Sequence, residues 1–159
     1  MPVVSLRHLA GELQLVDDQS TLYLDRRTGE TMAVLQDDAS RAHDLEDAGL
    51  EDAALPEWER ETLATVRRVP ASDDWLALPL WFEIRPYRIL EDFRDALEDA
   101  AARETLARAM RGRGAFRRFR DAIARLGLED EWYAFEALAY ARTAARWLNR
   151  HGIPFEDDV

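Results

Sequence analysis

Apolar residues recur at two different spacings in the first third of the chain. From Val4 to Leu15 they lie three or four positions apart, with Ser5 at the position of a helix cap, and this spacing predicts a short helix. The segments 21–25 and 31–35 are instead rich in β-type residues and flank a short loop that contains a glycine. Two such segments predict a β-hairpin.

Helical spacing dominates the remainder of the chain. Pro56 suits the first turn of a helix that runs to about Val69, with Pro70 just past its end, and Pro86 opens another helix to about Ala102. The last predicted helix has apolar residues almost all round it, a pattern typical of a buried central helix. Further helices are expected over residues 104–110, 115–126 and 129–150.

In two segments the apolar residues follow no clear helical or strand spacing. Residues 36–54 are acidic and rich in alanine and aspartate, and we expect a loop there, with a helical turn near 41–47. The tail over 154–159 follows a proline and ends in Glu-Asp-Asp-Val, so we expect it to be frayed.

The predicted fold class is α+β and predominantly helical. Residues 75–78 would add a third strand to the hairpin, which is marginal alone. A chain of 159 residues with 47% apolar content is expected to form one domain with a substantial core. We therefore expect a single domain over 1–159, in which a small N-terminal antiparallel sheet packs on a bundle of C-terminal helices.

Composition excludes several classes of chemistry. The chain has no cysteine, which rules out disulfides, thiolate metal sites and thiol nucleophiles. All 21 basic residues are arginine, so lysine Schiff bases and a P-loop lysine are also excluded. Three histidines, four serines and one asparagine are a poor inventory for acyl transfer or zinc hydrolysis. Paired aspartates without metal-loop spacing indicate solvated surface, so we expect neither a cofactor nor a metal.

The basic charge is concentrated in one block. Residues 103–125 contain eight arginines against Glu104 and Asp121, a local charge of +6. Because the whole chain carries −11, everything outside the block sums to −17. This distribution predicts either a polarised surface or an internal seam of ion pairs.

The block has a predicted core face and a predicted basic stripe. On a helical wheel, Phe116 and Phe119 share a face with apolar residues, so we expect them in the core rather than stacked on nucleic-acid bases. Arg113, Arg117 and Arg120 form a stripe beside that face, provided that the helix reaches back to residue 113.

Three interpretations of this stripe are open. It could face the carboxylates of Glu91, Asp95 and Asp99 on a neighbouring helix as a structural seam. It could instead bind an acidic partner protein. The third interpretation is phosphate binding, because the glycines of a Gly-Arg-Gly turn let backbone N–H groups approach an anion at a helix N-terminus.

Our leading hypothesis is a non-enzymatic binding or regulatory module whose basic helix face engages an acidic partner. The alternative is an enzyme or sensor that binds a phosphorylated small molecule at Gly112–Gly114. The candidate binding residues are Arg111, Gly112, Arg113, Gly114, Arg117, Arg118 and Arg120.

Nucleic acid is not expected as the main ligand. The charge of −17 outside the block repels phosphates, and one helix would have to supply the whole basic surface. A membrane is not expected either, since no apolar run approaches the roughly 18–20 residues of a span. The first residues lack the charged start and apolar core of a signal peptide, so we expect a cytoplasmic protein.

The arginine-rich block also carries a family resemblance. Residues 111–121, Arg-Gly-Arg-Gly-Ala-Phe-Arg-Arg-Phe-Arg-Asp, resemble an uncharacterised family of small acidic bacterial proteins, although this chain has arginine where such proteins usually have lysine. The resemblance implies a conserved domain with no established activity and therefore no catalytic residues to assign. Shorter motifs similar to that family follow the same order over nearly the whole chain, at residues 23–30, 55–58, 78–79, 90–93, 127–133, 139–140 and 147–148.

Overall fold

The computed structural model describes the backbone of all 159 residues and every side chain except that of Asp52. It confirms the predicted fold class, with a three-stranded antiparallel sheet in the N-terminal half and helices in the C-terminal half. The elements in chain order are β1 (Val4–Ser5), α1 (Leu6–Gln14), β2 (Ser20–Asp25), β3 (Thr31–Leu35), α2 (Gln36–Asp47), a 3-10 turn (Asp52–Ala54), α3 (Glu57–Ala71), β4 (Trp75–Ala77), α4 (Trp81–Ile84), α5 (Pro86–Ala96), α6 (Ala100–Ala109), α7 (Ala115–Leu126), α8 (Glu129–Arg150) and β5 (Phe155–Glu156).

The sheet has the strand order β3-β2-β4 and separates two hydrophobic clusters. In β2, successive side chains point to opposite faces. Leu22 and Leu24 are buried in the main core with the C-terminal helices, while Tyr23 packs against a smaller cluster on the other side. The indole nitrogen of Trp147 on α8 donates a hydrogen bond to the Ala77 carbonyl of β4 at 3.0 Å, which ties the sheet to the helical half.

The smaller cluster corrects our prediction for residues 36–54. We expected a loop with a helical turn near 41–47, but residues 36–47 form helix α2, and Ala42 and Leu45 on it are buried with Leu63 and Val66 of α3. These two are the buried residues of α2, and most of its other positions are polar. With so narrow an apolar stripe, the spacing of apolar residues gives only a weak helical signal. The helix is stabilised by packing against α3 rather than by an extended apolar face.

Two helix boundaries also differ from the prediction. Pro70 lies inside the last turn of α3, which continues to Ala71, because a proline there removes only one hydrogen bond before the helix ends. The helix that begins at Pro86 ends at Ala96 rather than near Ala102. The Asp99 carboxylate accepts a hydrogen bond from the Ala101 N–H at 2.9 Å, and this cap starts the separate helix α6.

Helices α7 and α8 have the predicted bounds, but α8 is not buried all round. Trp132, Tyr140 and Trp147 are buried, whereas Tyr133 is 60% exposed and Leu138 is 43% exposed. The helix therefore packs through one wide face. Within the described residues, no helix combines the length and the apolar character needed to span a bilayer.

The C-terminal tail is ordered by contacts with the N-terminus, which corrects the predicted fraying. Strand β5 pairs in parallel with β1, with Val4 opposite Phe155. The Asp158 carboxylate accepts hydrogen bonds from the Ser5 hydroxyl at 2.6 Å and the Arg7 N–H at 2.7 Å. These two donors lower the pKa of Asp158. Ser5 also caps α1 as predicted, accepting from the His8 N–H at 3.1 Å.

Candidate functional site

The Gly-Arg-Gly turn between α6 and α7 is built around the side chain of Arg118. Its guanidinium donates hydrogen bonds to the carbonyls of Ala109, Arg111 and Arg113, the first at 2.9 Å. These carbonyls lie at the end of α6 and in the turn, where no helical N–H is available to them. Arg118, one of the predicted binding residues, therefore has a structural role.

The glycines make this arrangement possible. Gly112 and Gly114 both adopt left-handed backbone conformations, with φ of 71° and 74°. A Cβ at Gly114 would lie 3.2 Å from a guanidinium nitrogen of Arg118, so a larger residue would crowd that side chain as well as strain the backbone. The carbonyls of the turn point toward Arg118, and the neighbouring arginines are exposed to solvent.

Four arginines around this turn are exposed and form the surface that we call the basic face: Arg111, Arg113, Arg117 and Arg120. Helix α7 begins at Ala115, so Arg113 lies in the turn and the predicted continuous helical stripe does not form. The basic face instead consists of Arg111 and Arg113 in the turn and Arg117 and Arg120 on α7.

The predicted ion-pair seam is also absent from the described residues. Of the expected partners, Glu91 pairs with Arg88, Asp95 pairs with Arg94, and Asp99 caps α6. Arg117 and Asp121, one helical turn apart on α7, form no ion pair with each other. The arginine–carboxylate pairs of the described part of the chain use Arg27, Arg41, Arg67, Arg88 and Arg94.

The aromatic residues of α7 face inward, as predicted. Phe119 is fully buried, and its ring lies 4.9 Å from that of Trp132 and 6.2 Å from that of Phe93. Phe116, which we expected in the core, is half-buried, and so is Phe135 on α8. Phe116 packs against Trp81 at a ring distance of 6.3 Å. None of these rings forms a platform beside the basic face on which bases could stack.

Sequence reasoning missed a second feature, a cavity of about 470 Å³ between the end of α1 and helices α4, α5, α7 and α8. Arg120 from α7 and Glu136 and Tyr140 from α8 all line it. Glu136 and Tyr140 lie four positions apart and therefore share one face of α8. The sequence signal that could have indicated the cavity is Glu136, the one charged residue in the segment 132–141.

The cavity perturbs the ionisation of its polar residues. Burial raises the pKa of Glu136, and the nearby Arg120 guanidinium opposes that rise. Burial also raises the pKa of the Tyr140 hydroxyl to about 12, helped by the negative charge of Glu136. Among the side chains that the structure describes, none donates a hydrogen bond to the Glu136 carboxylate. Glu136 is thus a partly desolvated acid with no hydrogen-bond donor among the described side chains.

No group of three or more histidine, aspartate or glutamate side chains among the described residues is arranged to hold a metal ion. Comparison with known proteins gives no match: no family model, no curated protein and no solved structure matches this chain. The resemblance carried by residues 111–121 therefore stays a prediction.

Proposed function

We propose that this protein is a non-enzymatic binding or regulatory module that engages an acidic protein partner through its basic face. The observation that carries the proposal is the set of unneutralised arginines at one turn of an acidic protein. Arg111, Arg113 and Arg117 are exposed and form no ion pair with the chain's own carboxylates within the described structure.

These three arginines are distinguished by their clustering at one turn, because most of the 21 arginines of the chain form no ion pair within the described structure. The guanidinium is planar and binds carboxylates with two parallel hydrogen bonds. Three such groups around one turn suit a partner that presents several carboxylates close together.

The charge of the remaining surface supports specificity. The net charge of −17 outside residues 103–125 repels an acidic partner, and the net charge of +6 within these residues attracts it. Like-charge contact at the wrong surface is unfavourable, so this distribution favours one orientation of the complex. Screening limits these interactions to about 8 Å at physiological salt, which makes the local charge more important than the net charge.

A direct test uses a fluorescein-labelled peptide of twelve residues rich in glutamate, titrated with the full chain and followed by anisotropy. We expect saturable binding that weakens as salt rises from about 50 to about 150 mM. The double variant Arg113→Glu/Arg117→Glu should weaken binding by about ten-fold or more, since it replaces two attractive contacts with two repulsive ones.

The matched control is Arg60→Glu/Arg142→Glu, which makes the same charge change at exposed arginines outside the basic face. It should leave most of the affinity intact. Equal losses in the two double variants would contradict the proposal, because binding would then follow net charge. Tighter binding of a mixed-sequence RNA than of the peptide would contradict it too.

The alternative, a phosphorylated small molecule at Gly112–Gly114, has one supporting observation. Helix α7 has no side-chain cap at its N-terminus, so its first N–H groups are available to an anion. Arg118 is already bound to the carbonyls of the turn and adds nothing to such a site. A thermal-shift series with inorganic phosphate, nucleotides and sugar phosphates separates the alternatives, since a ligand at 100 times its Kd stabilises by about 2.7 kcal/mol.

The cytoplasmic location expected from the sequence accompanies this proposal as a prediction. Fractionation of the native host with antibodies against the chain would test it.

A further inference from the structure

The cavity between α1, α5, α7 and α8 combines aromatic walls with convergent polar groups. Trp81, Phe116 and Trp132 contribute their rings to its lining. Its volume of about 470 Å³ lies within the range of roughly 300–1,000 Å³ that is usual for small-molecule sites. The cavity is therefore large enough for a compact organic ligand with an apolar body.

The charged groups of the cavity favour a cation. Asp17, Arg120 and Glu136 all line the cavity, so the lining carries two negative charges against one positive charge. Glu136 is half-buried, and no described side chain supplies it with a hydrogen-bond donor. A charged hydrogen-bond donor stabilises a partly desolvated carboxylate without a donor more than it stabilises a solvated carboxylate.

The aromatic rings and the field of the protein act in the same direction. The face of an indole or phenyl ring attracts a cation through its quadrupole. The charge of −11 on the whole chain also raises the local concentration of small cations relative to anions.

We propose that this cavity binds a small organic ammonium ion with an apolar body, whose charged nitrogen donates to Glu136 and whose body lies among Trp81, Phe116 and Trp132. Tyr140 completes the polar end of the site, since its hydroxyl lies on the same face of α8 as Glu136. This site is distinct from the surface assigned to the acidic partner, although Arg120 borders both.

The test compares three probes of nearly the same shape with the full chain. They are 2-phenylethylammonium, the neutral 2-phenylethanol and the anionic phenylacetate. Binding is measured by calorimetry and by the fluorescence of the tryptophans, two of which line the cavity. We expect the ammonium ion to bind saturably and to change the fluorescence, and the other two probes to bind at least about ten-fold more weakly.

Variants then locate the site. Glu136→Gln should weaken binding of 2-phenylethylammonium by about ten-fold or more, because it removes the charged acceptor. The control Glu104→Gln removes the same charge at an exposed position of α6 and should change the affinity less than two-fold, on the order of experimental error.

A second pair of variants avoids any effect on folding. Leu15 lines the cavity mouth and is 82% exposed, so its replacement does not disturb the core. Leu15→Arg should weaken binding of the ammonium probe and Leu15→Glu should strengthen it. Equal affinity for 2-phenylethanol, preference for phenylacetate, no saturable binding of the ammonium ion, or no difference between the two Leu15 variants would each overturn the proposal.

Discussion

The Nε of Arg118 on α7 donates a hydrogen bond to the Ala109 carbonyl at the end of α6, at 2.9 Å. The same guanidinium reaches the carbonyls of Arg111 and Arg113, so one side chain holds together the whole turn between the two helices. The arginine that stabilises this turn is therefore different from those that are available to a partner.

The first prediction follows from that difference. Arg118→Ala should lower the free energy of unfolding by about 1–2 kcal/mol, because three carbonyls lose a charged donor at a partly exposed position. Arg117→Ala, its exposed neighbour in sequence, should change stability by less than about 0.5 kcal/mol. Urea denaturation of the two variants measures both values. Equal losses would show that the contacts of Arg118 do not stabilise the fold.

The second prediction concerns the aromatic core. Phe119 is fully buried between Phe93 and Trp132, so Phe119→Ala should destabilise the protein by about 3–5 kcal/mol, the usual cost of truncating a core aromatic residue. Tyr133→Ala on the exposed side of α8 is the control and should cost under about 1 kcal/mol. A nearly neutral Phe119→Ala in thermal or chemical denaturation would contradict the packing of α7 on α8.

The third prediction uses the buried carboxylate of the hairpin. Asp25 is 3% exposed and accepts hydrogen bonds from the Arg27 N–H at 2.8 Å and from its guanidinium. Burial alone would raise the pKa of Asp25, but these donors outweigh it and lower the pKa below its ordinary value of 3.8. The ionised form therefore stabilises the fold above that value, and the stabilisation is lost as the pH falls through the folded-state pKa.

Asp25→Asn should accordingly lower the free energy of unfolding by about 1–3 kcal/mol at neutral pH. The deficit should shrink in acid as the wild-type carboxyl becomes protonated. Asp73→Asn, at an exposed position nearby, provides the control. A deficit of constant size from neutral pH to below the ordinary pKa of aspartate would mean that ionisation of Asp25 contributes nothing.

The fourth prediction has the opposite sign and concerns Glu136. Burial raises the pKa of this carboxyl above its ordinary value of 4.5, so its ionised form destabilises the folded state at neutral pH. Glu136→Gln should therefore raise the melting temperature near neutral pH. The gain should disappear in acid below the ordinary pKa, where the carboxyl is protonated in both states. Glu104→Gln should produce no comparable gain, and a melting temperature lowered by Glu136→Gln at neutral pH would contradict the assignment.

Elements with strong local patterns could be predicted from the sequence. The bounds of α7 and α8 were correct because Gly127, in a left-handed conformation with φ of 66°, ends the first helix and the apolar spacing resumes directly after it. Helix α2 could not be predicted, since two buried residues make too short a stripe. The ordered tail depends on a partner 153 positions away, and no local pattern reports such a contact.

The sequence predicted that the candidate site is a block of positive charge, but it did not predict how the side chains of that block are arranged. Arg117 and Arg118 are adjacent arginines, so the sequence does not show which of them has a structural role. The left-handed turn at Gly112 and Gly114 places the carbonyls of the turn within reach of Arg118. The cavity was beyond sequence reasoning for a related reason. Arg120 and Glu136 line the same cavity because helices α7 and α8 pack against each other, and the spacing of these residues in the chain gives no indication of that packing.

The hydrogen bonds that join Ser5 and Arg7 to Asp158 close nearly the entire chain into one loop. Ordering so long a loop is entropically unfavourable until the intervening elements are in place, so this closure is expected late in folding. The amide of Val4, bonded to the Pro154 carbonyl at 3.0 Å, then becomes a probe of the folding pathway. Hydrogen exchange at this amide distinguishes local opening of the chain ends from global unfolding. If the ends open only when the whole protein unfolds, the Val4 amide is protected as strongly as the amides of the core; if the ends open by themselves, it exchanges faster.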